Sequence, residues 1–139
     1  MAAARLSDLK RVRKVLGKSQ SDMSDLLGIS TRAVQSYEQG WRPTPAHVQQ
    51  MAGLLLYLNW RKEGNTAAPC WKVQRCPSET RARCPAYQYK AGDLCWLIAA
   101  KQCGGAKQPS WKANMAKCRK CPVMKEWLPE NGCGAKRRV

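Results

Sequence analysis

Positions 19–41 read SQSDMSDLLGISTRAVQSYEQGW and constrain the fold more than any other stretch of the chain. Ser19 is a favourable helix N-cap, and Asp22 three positions later favours the positive end of a helix dipole. The apolar residues that follow have helical spacing, so they predict one inward-facing stripe. This stripe consists of Met23, Leu26 and Leu27. The pattern predicts a short amphipathic helix that begins next to Ser19.

A turn at Gly28 separates this helix from a second one. Glycine accommodates the left-handed backbone at a helix end, Ile29 is expected to fill the corner, and Ser30 is expected to cap the second helix. Val34 and Tyr37 are predicted to face the core, which leaves the opposite face exposed. Two helices joined in this way form a helix-turn-helix, whose second helix can enter the major groove of DNA.

The predicted DNA contacts are polar or cationic side chains on or beside the second helix. Short polar side chains and a guanidinium can reach base edges, whereas Gln20 and Arg42 are placed to contact phosphates. The predicted DNA-binding residues are Gln20, Ser30, Thr31, Arg32, Gln35, Ser36 and Arg42. A small helical bundle that binds protein instead of DNA is the alternative interpretation.

Two further helices are predicted around this pair. The first spans Leu6 to Leu16, with a basic outer face that suits either solvent or nearby phosphates. The other is expected to be capped by Thr44, with Pro45 in its first position. Its predicted inward face consists of Val48, Met51, Ala52, Leu55 and Leu58. Leu54, Leu56 and Tyr57 fall on other faces, so a dimer partner or a second domain is expected to cover them.

These features together resemble the helix-turn-helix domains of the Cro and phage-repressor type, also called XRE-like. The resemblance rests on LKRVRKVLGKSQ, the LLGIS turn, AVQSYEQG and the prolines at 43 and 45, and it covers about the first 58 residues. It implies a mainly α bundle of about five helices over residues 1–62. Such a domain binds double-stranded DNA, typically as a homodimer on two half-sites about 34 Å apart.

Charge and composition suggest the partner and the compartment. The net charge of +16 suits a polyanion such as DNA. No apolar run reaches membrane-spanning length, and the N-terminus lacks the apolar centre of a secretion signal, so a cytoplasmic protein is expected. In a reducing cytosol, cysteines are metal ligands more often than disulfides.

All eight cysteines lie in the second half of the chain, after a predicted linker at 63–69. A domain of this size buries little apolar surface, so we expect a metal to stabilise residues 70–133. Five of the cysteines precede proline or glycine, which predicts ligands on loops. The predicted metal ligands are Cys70, Cys76, Cys84, Cys95, Cys103, Cys118 and Cys121, with Cys133 uncertain. Residues 134–139 read as a basic tail.

This half resembles the two-CW domain, a cysteine-rich module of bacterial signalling and regulatory proteins. The resemblance rests on CW at 70 and 95, CPA at 84, CGG at 103, the segment at Trp111 and the C-x2-C at 118–121. It covers residues 70 to about 127 and implies a small, loop-rich sensor or binding unit. Cys133 lies outside this pattern.

The identity of the metal stays open between three interpretations. A single C-x2-C pair is fewer than structural zinc sites commonly use. Iron–sulfur clusters tolerate more varied spacing, and the proline after Cys121 is typical of ferredoxin ligands, which favours a cluster, most simply 4Fe–4S. Zinc is the main alternative, followed by disulfides or redox-active thiols. Trp71 and Trp96 adjoin two of the cysteines and either fill the core or shield the metal from water.

The sequence predicts a two-domain transcription regulator. Its cysteine-rich domain is expected to sense redox state, oxygen or iron by gaining, losing or oxidising the metal centre, and to act on the DNA-binding domain through the fourth helix and the linker. A zinc-stabilised antitoxin-like or adaptor protein with a protein partner is the alternative. An enzyme is not expected, because outside the DNA-binding module the chain lacks a nucleophile paired with histidine, a carboxylate cluster and a phosphate-binding loop.

Overall fold

The computed structural model describes residues 5–98, 101 and 109–128. These residues form helices and turns, with no strand among them, and no helix among them is long and apolar enough to cross a membrane. They divide into two compact units. The N-terminal unit runs to Asn65 and also includes Trp127 and Leu128, and the cysteine-rich unit is Thr66–Glu126. Cys103, Cys133 and the predicted basic tail lie outside the described residues.

The N-terminal unit contains helices α1 (Leu9–Leu16), α2 (Gln20–Leu27), α3 (Thr31–Gln39) and α4 (Ala46–Lys62). Residues 5–65 thus form four helices where about five were predicted. Helix α1 begins later than predicted because the Asp8 side chain caps it, accepting a hydrogen bond from the Arg11 amide at 3.3 Å. Leu6 precedes the helix but is still buried in the core.

The caps of the helix-turn-helix follow the prediction. Ser19 and Asp22 form a reciprocal capping box: the Ser19 hydroxyl accepts from the Asp22 amide at 3.0 Å, and Asp22 accepts from the Ser19 amide at 3.2 Å. These hydrogen bonds lower the pKa of Asp22. Gly28 ends α2 with a φ of 70°, and Ser30 caps α3 by accepting from the Ala33 amide at 3.0 Å. These predictions are confirmed.

The inward face of α2 differs from the prediction. Met23 is fully buried, but Leu26 is 40% exposed. The buried face is centred between Met23 and Ser24, and at 3.6 residues per turn Leu26 lies about a third of a turn away from that centre. The placement of Leu26 in the apolar face was therefore wrong.

Helix α4 is rotated relative to the predicted face. Its buried residues are Val48, Ala52, Gly53, Leu56 and Tyr57, whereas Met51 is 39% exposed. Tyr57 is covered inside the same unit by Trp127, with ring centroids 5.6 Å apart in an edge-on arrangement. Part of the apolar surface predicted to need a partner is therefore buried within the N-terminal unit.

The predicted cap of α4 was also wrong. Pro45 is the N-cap residue, and it offers no side-chain hydrogen bond. The buried Thr44 hydroxyl instead donates to the Ser7 carbonyl at 3.0 Å, and so attaches the start of α4 to the segment before α1.

One carboxylate joins the first three helices. Glu38 on α3 accepts two hydrogen bonds from the Arg13 guanidinium on α1, at 2.6 and 3.0 Å, and one from Gln20 on α2 at 3.0 Å. The Glu38 side chain is only 2% exposed. Burial by itself raises the pKa of Glu38, but the hydrogen bonds from Arg13 and Gln20 outweigh it, so the pKa is lowered. Glu38 is thus a charged anchor at the centre of the helix-turn-helix.

Replacing Glu38 by glutamine should lower the free energy of unfolding of the N-terminal unit by about 1.5–3 kcal/mol at neutral pH, the usual value of hydrogen bonds to charged groups. The folded-state pKa of Glu38 is lowered. Its contribution is therefore fully present above the ordinary glutamate pKa of about 4.3 and is lost as the pH falls through the folded-state value. Denaturant unfolding at neutral pH and at about pH 3 should show the gap between the two proteins narrowing in acid. An equal gap at both pH values would contradict this role.

The cysteine-rich unit is more helical than the predicted loop-rich domain. It contains α5 (Cys70–Val73), α6 (Ser78–Arg83), α7 (Pro85–Gln88), a 3-10 helix (Cys95–Leu97), α8 (Trp111–Cys118) and α9 (Pro122–Lys125). Two of the three Cys-Pro pairs, interpreted as turns, are helix starts: Cys84 and Cys121 are N-caps, and the proline after each is the first helical residue. Proline is favourable there because its missing amide would have no partner in the helix.

Candidate functional sites

The exposed side of α3 carries most of the predicted DNA contacts. Arg32 and Gln35 are exposed, as is Ser30 at the N-cap. Thr31 is half-buried, and its hydroxyl donates to the Ser24 hydroxyl at 3.3 Å. The first turns of α3 therefore present a guanidinium, an amide and a hydroxyl to solvent, which are the groups that read base edges in a major groove.

Internal contacts orient the predicted side chains at the edges of this surface. Gln20 donates to Glu38, and its amide oxygen accepts from Gln35 at 3.4 Å. The Arg42 guanidinium lies 5.0 Å above the Tyr37 ring, in a cation–π contact. Gln20, Gln35 and Arg42 are thus held in place before any DNA arrives, which reduces the entropy lost on binding.

Ser36 is an exception among the predicted DNA contacts. It was placed on the outer face of the second helix, but it is only 9% exposed. Its main-chain carbonyl also accepts from the amides of Trp41 and Arg42 in the turn after α3, at 3.0 and 3.4 Å. The prediction that Ser36 lies on the outer face was wrong.

The cysteine-rich unit has a cavity of about 50 Å³ that is lined by six cysteines. They come from every part of the unit, and all are present as thiols. The lining cysteines are Cys70, Cys76, Cys84, Cys95, Cys118 and Cys121. The structure therefore brings together each predicted metal ligand that lies within the described residues.

Four of these thiols influence one another directly. Cys70 and Cys95 form a hydrogen bond, which lowers the pKa of Cys70 and raises that of Cys95. Burial and the nearby sulfurs of Cys70, Cys118 and Cys121 raise the pKa of Cys95 further. Cys70 and Cys95 are therefore close neighbours whose interaction shifts their pKa values in opposite directions.

Cationic and hydrogen-bonding residues also line the thiol cavity. Gln74 donates to the Cys121 sulfur at 3.0 Å, and Arg81, Lys101 and Lys117 are part of the lining. Positive charge and hydrogen-bond donors favour thiolates, which are the metal-binding form of cysteine. Sequence reasoning missed these residues, because nothing distinguishes them there from the other basic and polar residues of a highly basic chain.

An aromatic pair closes part of the cavity. Trp71 packs edge-on against Tyr87, with ring centroids 4.8 Å apart, and the Arg81 guanidinium lies 5.2 Å from the centre of the Tyr87 ring. Trp71 and Tyr87 both line the cavity, whereas Trp96 is fully buried in the core. Of the two tryptophans beside cysteines, Trp71 is therefore the one placed to keep water from the thiols.

The arrangement of donors bears on what the cavity can hold. Within the described ranges, no group of three or more His, Cys, Asp or Glu side chains could hold a metal ion. Thiolates around one zinc ion, each bound at about 2.3 Å, would have sulfurs only about 3.8 Å apart. In a 4Fe–4S cluster each of four cysteines binds a different iron, so the sulfurs are farther apart. A cavity of about 50 Å³ also exceeds the roughly 10–15 Å³ that one water-sized particle needs. The cavity therefore has room for more than one atom beside its six cysteines.

Gly92 packs closely against the segment that carries Cys70. Its carbonyl accepts from the Cys70 amide at 3.1 Å, and a Cβ at this position would be 2.7 Å from the Pro69 Cβ and 2.8 Å from the Cys70 nitrogen. These are distances that real Cβ atoms essentially never show. The segment that carries Cys70 therefore depends on the absence of a side chain at position 92.

Replacing Gly92 by alanine should displace Pro69 and Cys70 and destabilise the cysteine-rich unit by about 1–3 kcal/mol, the usual cost of overpacking. Thiol alkylation followed by mass spectrometry should show a changed reaction rate for Cys70. The matched control is Gly17→Ala, because Gly17 has nothing within 4 Å and lies in the other unit, where only backbone strain at its φ of 68° applies. If both variants left Cys70 equally reactive, the packing described for Gly92 would be wrong.

Comparison with known families identifies the class of the N-terminal domain. A family model described as helix-turn-helix matches residues 9–55, roughly a third of the chain, from the start of α1 into α4. This class consists of DNA-binding transcription regulators. The match supports the N-terminal part of the predicted resemblance to the XRE-like domains of Cro and phage repressors. The match stops before the cysteine-rich unit, so the two-CW resemblance is not confirmed. Searches among curated proteins and solved structures found no match.

Proposed function

We propose that the protein is a transcription regulator whose cysteine-rich unit holds an iron–sulfur cluster and whose affinity for DNA depends on that cluster. The observation that supports this proposal is the cavity lined by six cysteines, in a chain that begins with a helix-turn-helix domain. Neither feature alone implies that a metal site controls DNA binding. Their combination in one short chain is typical of a protein that converts the state of a metal site into a change in DNA binding.

We assign four thiols as cluster ligands. Cys95 is hydrogen-bonded to Cys70 and interacts electrostatically with Cys118 and Cys121, and all four line the thiol cavity. A 4Fe–4S cluster needs four thiolates, and this group supplies them. Cys76 and Cys84 line the same cavity and, in this assignment, shape its wall without binding iron.

Residues around the ligands would control the properties of the cluster. Such a cluster supplies one-electron redox chemistry and a stability that depends on iron and oxygen. The Gln74 amide donates to the Cys121 sulfur, and hydrogen bonds to ligand sulfurs tune the potential of a cluster. Trp71 limits the access of water and of dissolved oxidants. The contacts of Gln74 and Trp71 are made to other residues of the chain, so both side chains would be in place before a cluster binds.

Two chain connections offer a route from the cluster to the DNA-binding unit. The chain enters the cysteine-rich unit after Asn65 and returns to the N-terminal unit at Trp127. Trp127 follows Cys121 by six residues and packs on Tyr57 of α4. If α8 and α9 lose order when the cluster is lost, Trp127 loses its fixed position and α4 loses a packing partner. We propose that this change in the packing of α4 couples the cluster to DNA binding. The DNA-bound form would be a homodimer on two half-sites, as helix-turn-helix geometry favours.

Purification without oxygen tests the proposal. We expect a coloured protein that contains iron and acid-labile sulfide in equal amounts, about four of each per chain. Its visible absorbance should bleach on exposure to air. A colourless protein that contains one zinc ion per chain would contradict the cluster and favour the alternative, a zinc-stabilised adaptor or antitoxin-like protein.

A further inference from the structure

A lysine side chain is buried at the edge of the thiol cavity. Lys101 lines the cavity and is only 3% exposed. Its ammonium donates a hydrogen bond to the Asn114 amide oxygen, and no carboxylate in the described part of the chain forms an ion pair with it. Buried charges are normally paired with an opposite charge, because burial without one is costly. The buried charge of Lys101 therefore needs an anionic partner other than a carboxylate.

Asn114 fixes the position of this ammonium. The Asn114 side chain is 1% exposed, and its amide nitrogen donates to the Trp96 carbonyl at 2.9 Å, so its oxygen is directed towards Lys101. The Cys118 sulfur lies 3.8 Å from the same oxygen. A neutral amide orients the lysine but does not balance its charge. The groups in the lining of the same cavity that can carry negative charge near neutral pH are the cysteine sulfurs.

The lining of the cavity supports this arrangement. Cys70 and Cys118 line the same cavity as Lys101, and the Asn114 oxygen that accepts from the ammonium is also next to the Cys118 sulfur. Lys101 therefore shares the cavity with thiols on two segments, Cys70 and Cys118. Each of these is among the four ligands assigned above.

We infer that Lys101 is the charge-compensating residue of the thiol site, and that its buried ammonium, oriented by Asn114, adapts the cavity to a negatively charged metal–thiolate centre. This inference rests on the proposed function and deepens it. A cluster bound by four thiolates carries net negative charge, and one-electron reduction by an external low-potential reductant adds one more negative charge without breaking a bond. A fixed positive charge nearby stabilises both forms, and the reduced form more.

Removing this charge gives the direct test. Lys101→Met keeps the approximate length of the side chain and removes its charge, whereas Lys101→Arg keeps the charge. Lys112→Met is the matched control, since Lys112 is exposed on α8. After oxygen-free purification, Lys101→Met should make iron loss to a chelator at least about tenfold faster, in line with the effect of outer-shell changes on metal affinity. It should also shift the midpoint potential to more negative values. The arginine and control variants should behave like the wild type.

A second substitution keeps the test valid if Lys101→Met does not fold. Asn114→Asp preserves the shape of the network but gives the ammonium a carboxylate partner, so less positive charge remains for the sulfurs. It should shift the potential and the rate of iron loss in the same directions. Unchanged iron loss and potential in folded Lys101→Met, or in Asn114→Asp, would overturn the inference and leave the cluster proposal intact. A wild-type protein without iron and sulfide would instead overturn the proposed function.

Discussion

Replacing Cys95 by serine is expected to abolish cluster binding and to leave the cysteine-rich unit without a stable fold. Cys95 is buried, is hydrogen-bonded to Cys70 and is close to Cys118 and Cys121, so its loss removes the central ligand of the group. Changing an outer-shell partner alone costs about 10–100-fold in metal affinity, so loss of a ligand should cost more than that. Because metal binding contributes directly to the folding of small metal-containing domains, the fold should fail with it.

Two measurements check this expectation, with a matched control in the same cavity. Iron and sulfide content should fall to background in Cys95→Ser, and limited proteolysis should cleave residues 66–126 while 5–65 stay resistant. The control is Cys76→Ser, because Cys76 lines the same cavity but is not among the four assigned ligands. It should keep its iron. A Cys95→Ser protein with wild-type iron content and protease resistance would refute the ligand assignment. Loss of iron in Cys76→Ser would show that Cys76 is also a ligand, and the assignment of only four would be wrong.

Replacing Arg32 by alanine is expected to weaken binding to the preferred DNA site by about 10–100-fold, the value of one good side-chain contact to a base. Arg32 is exposed on the first turn of α3, so its removal should leave the fold and the stability unchanged. The site itself can be selected from a pool of random duplexes with the wild-type protein. Binding of each variant to that duplex and to an unrelated duplex then separates base recognition from general attraction to phosphates.

Arg83→Ala is the matched control for Arg32. Arg83 is also an exposed arginine, but it lies on α6 in the cysteine-rich unit, so both variants lose the same charge. The Arg32 variant should lose discrimination between the two duplexes, and the control should retain it. If Arg32→Ala weakened binding to both duplexes equally, the surface of α3 would not be the one that reads bases.

Features that depend on a few neighbouring residues were predicted well from the sequence. The capping box of Ser19, the left-handed Gly28 and the Ser30 cap each need only residues within one helical turn, so the local pattern determined them. The sequence also named the six cysteines that line one cavity, and their role as metal ligands stays a prediction. A small domain without phenylalanine and with eight cysteines has few other ways to form a core.

Features that depend on distant packing were not predictable in the same way. Leu26 and Ser36 were misplaced because burial depends on how distant segments pack against a helix, which the spacing of residues along it does not determine. Gln74 contacts Cys121 across 47 residues of sequence, and no local pattern indicates such a pair. The helical starts at Cys84 and Cys121 were misinterpreted for another reason, since Cys-Pro fits both a turn and a helix N-terminus.

The cluster in the thiol cavity is proposed to control the affinity of the helix-turn-helix domain for DNA. The most direct test is to measure, without oxygen and at fixed salt, the affinity of one protein sample for its selected duplex before and after its iron is removed by a chelator. Coupling energies of about 1–3 kcal/mol are typical, so we expect the two affinities to differ by about 5–150-fold and the original value to return when the cluster is rebuilt. Equal affinities before and after would show that the cysteine-rich unit and the DNA-binding unit act independently, and the regulatory account would be wrong.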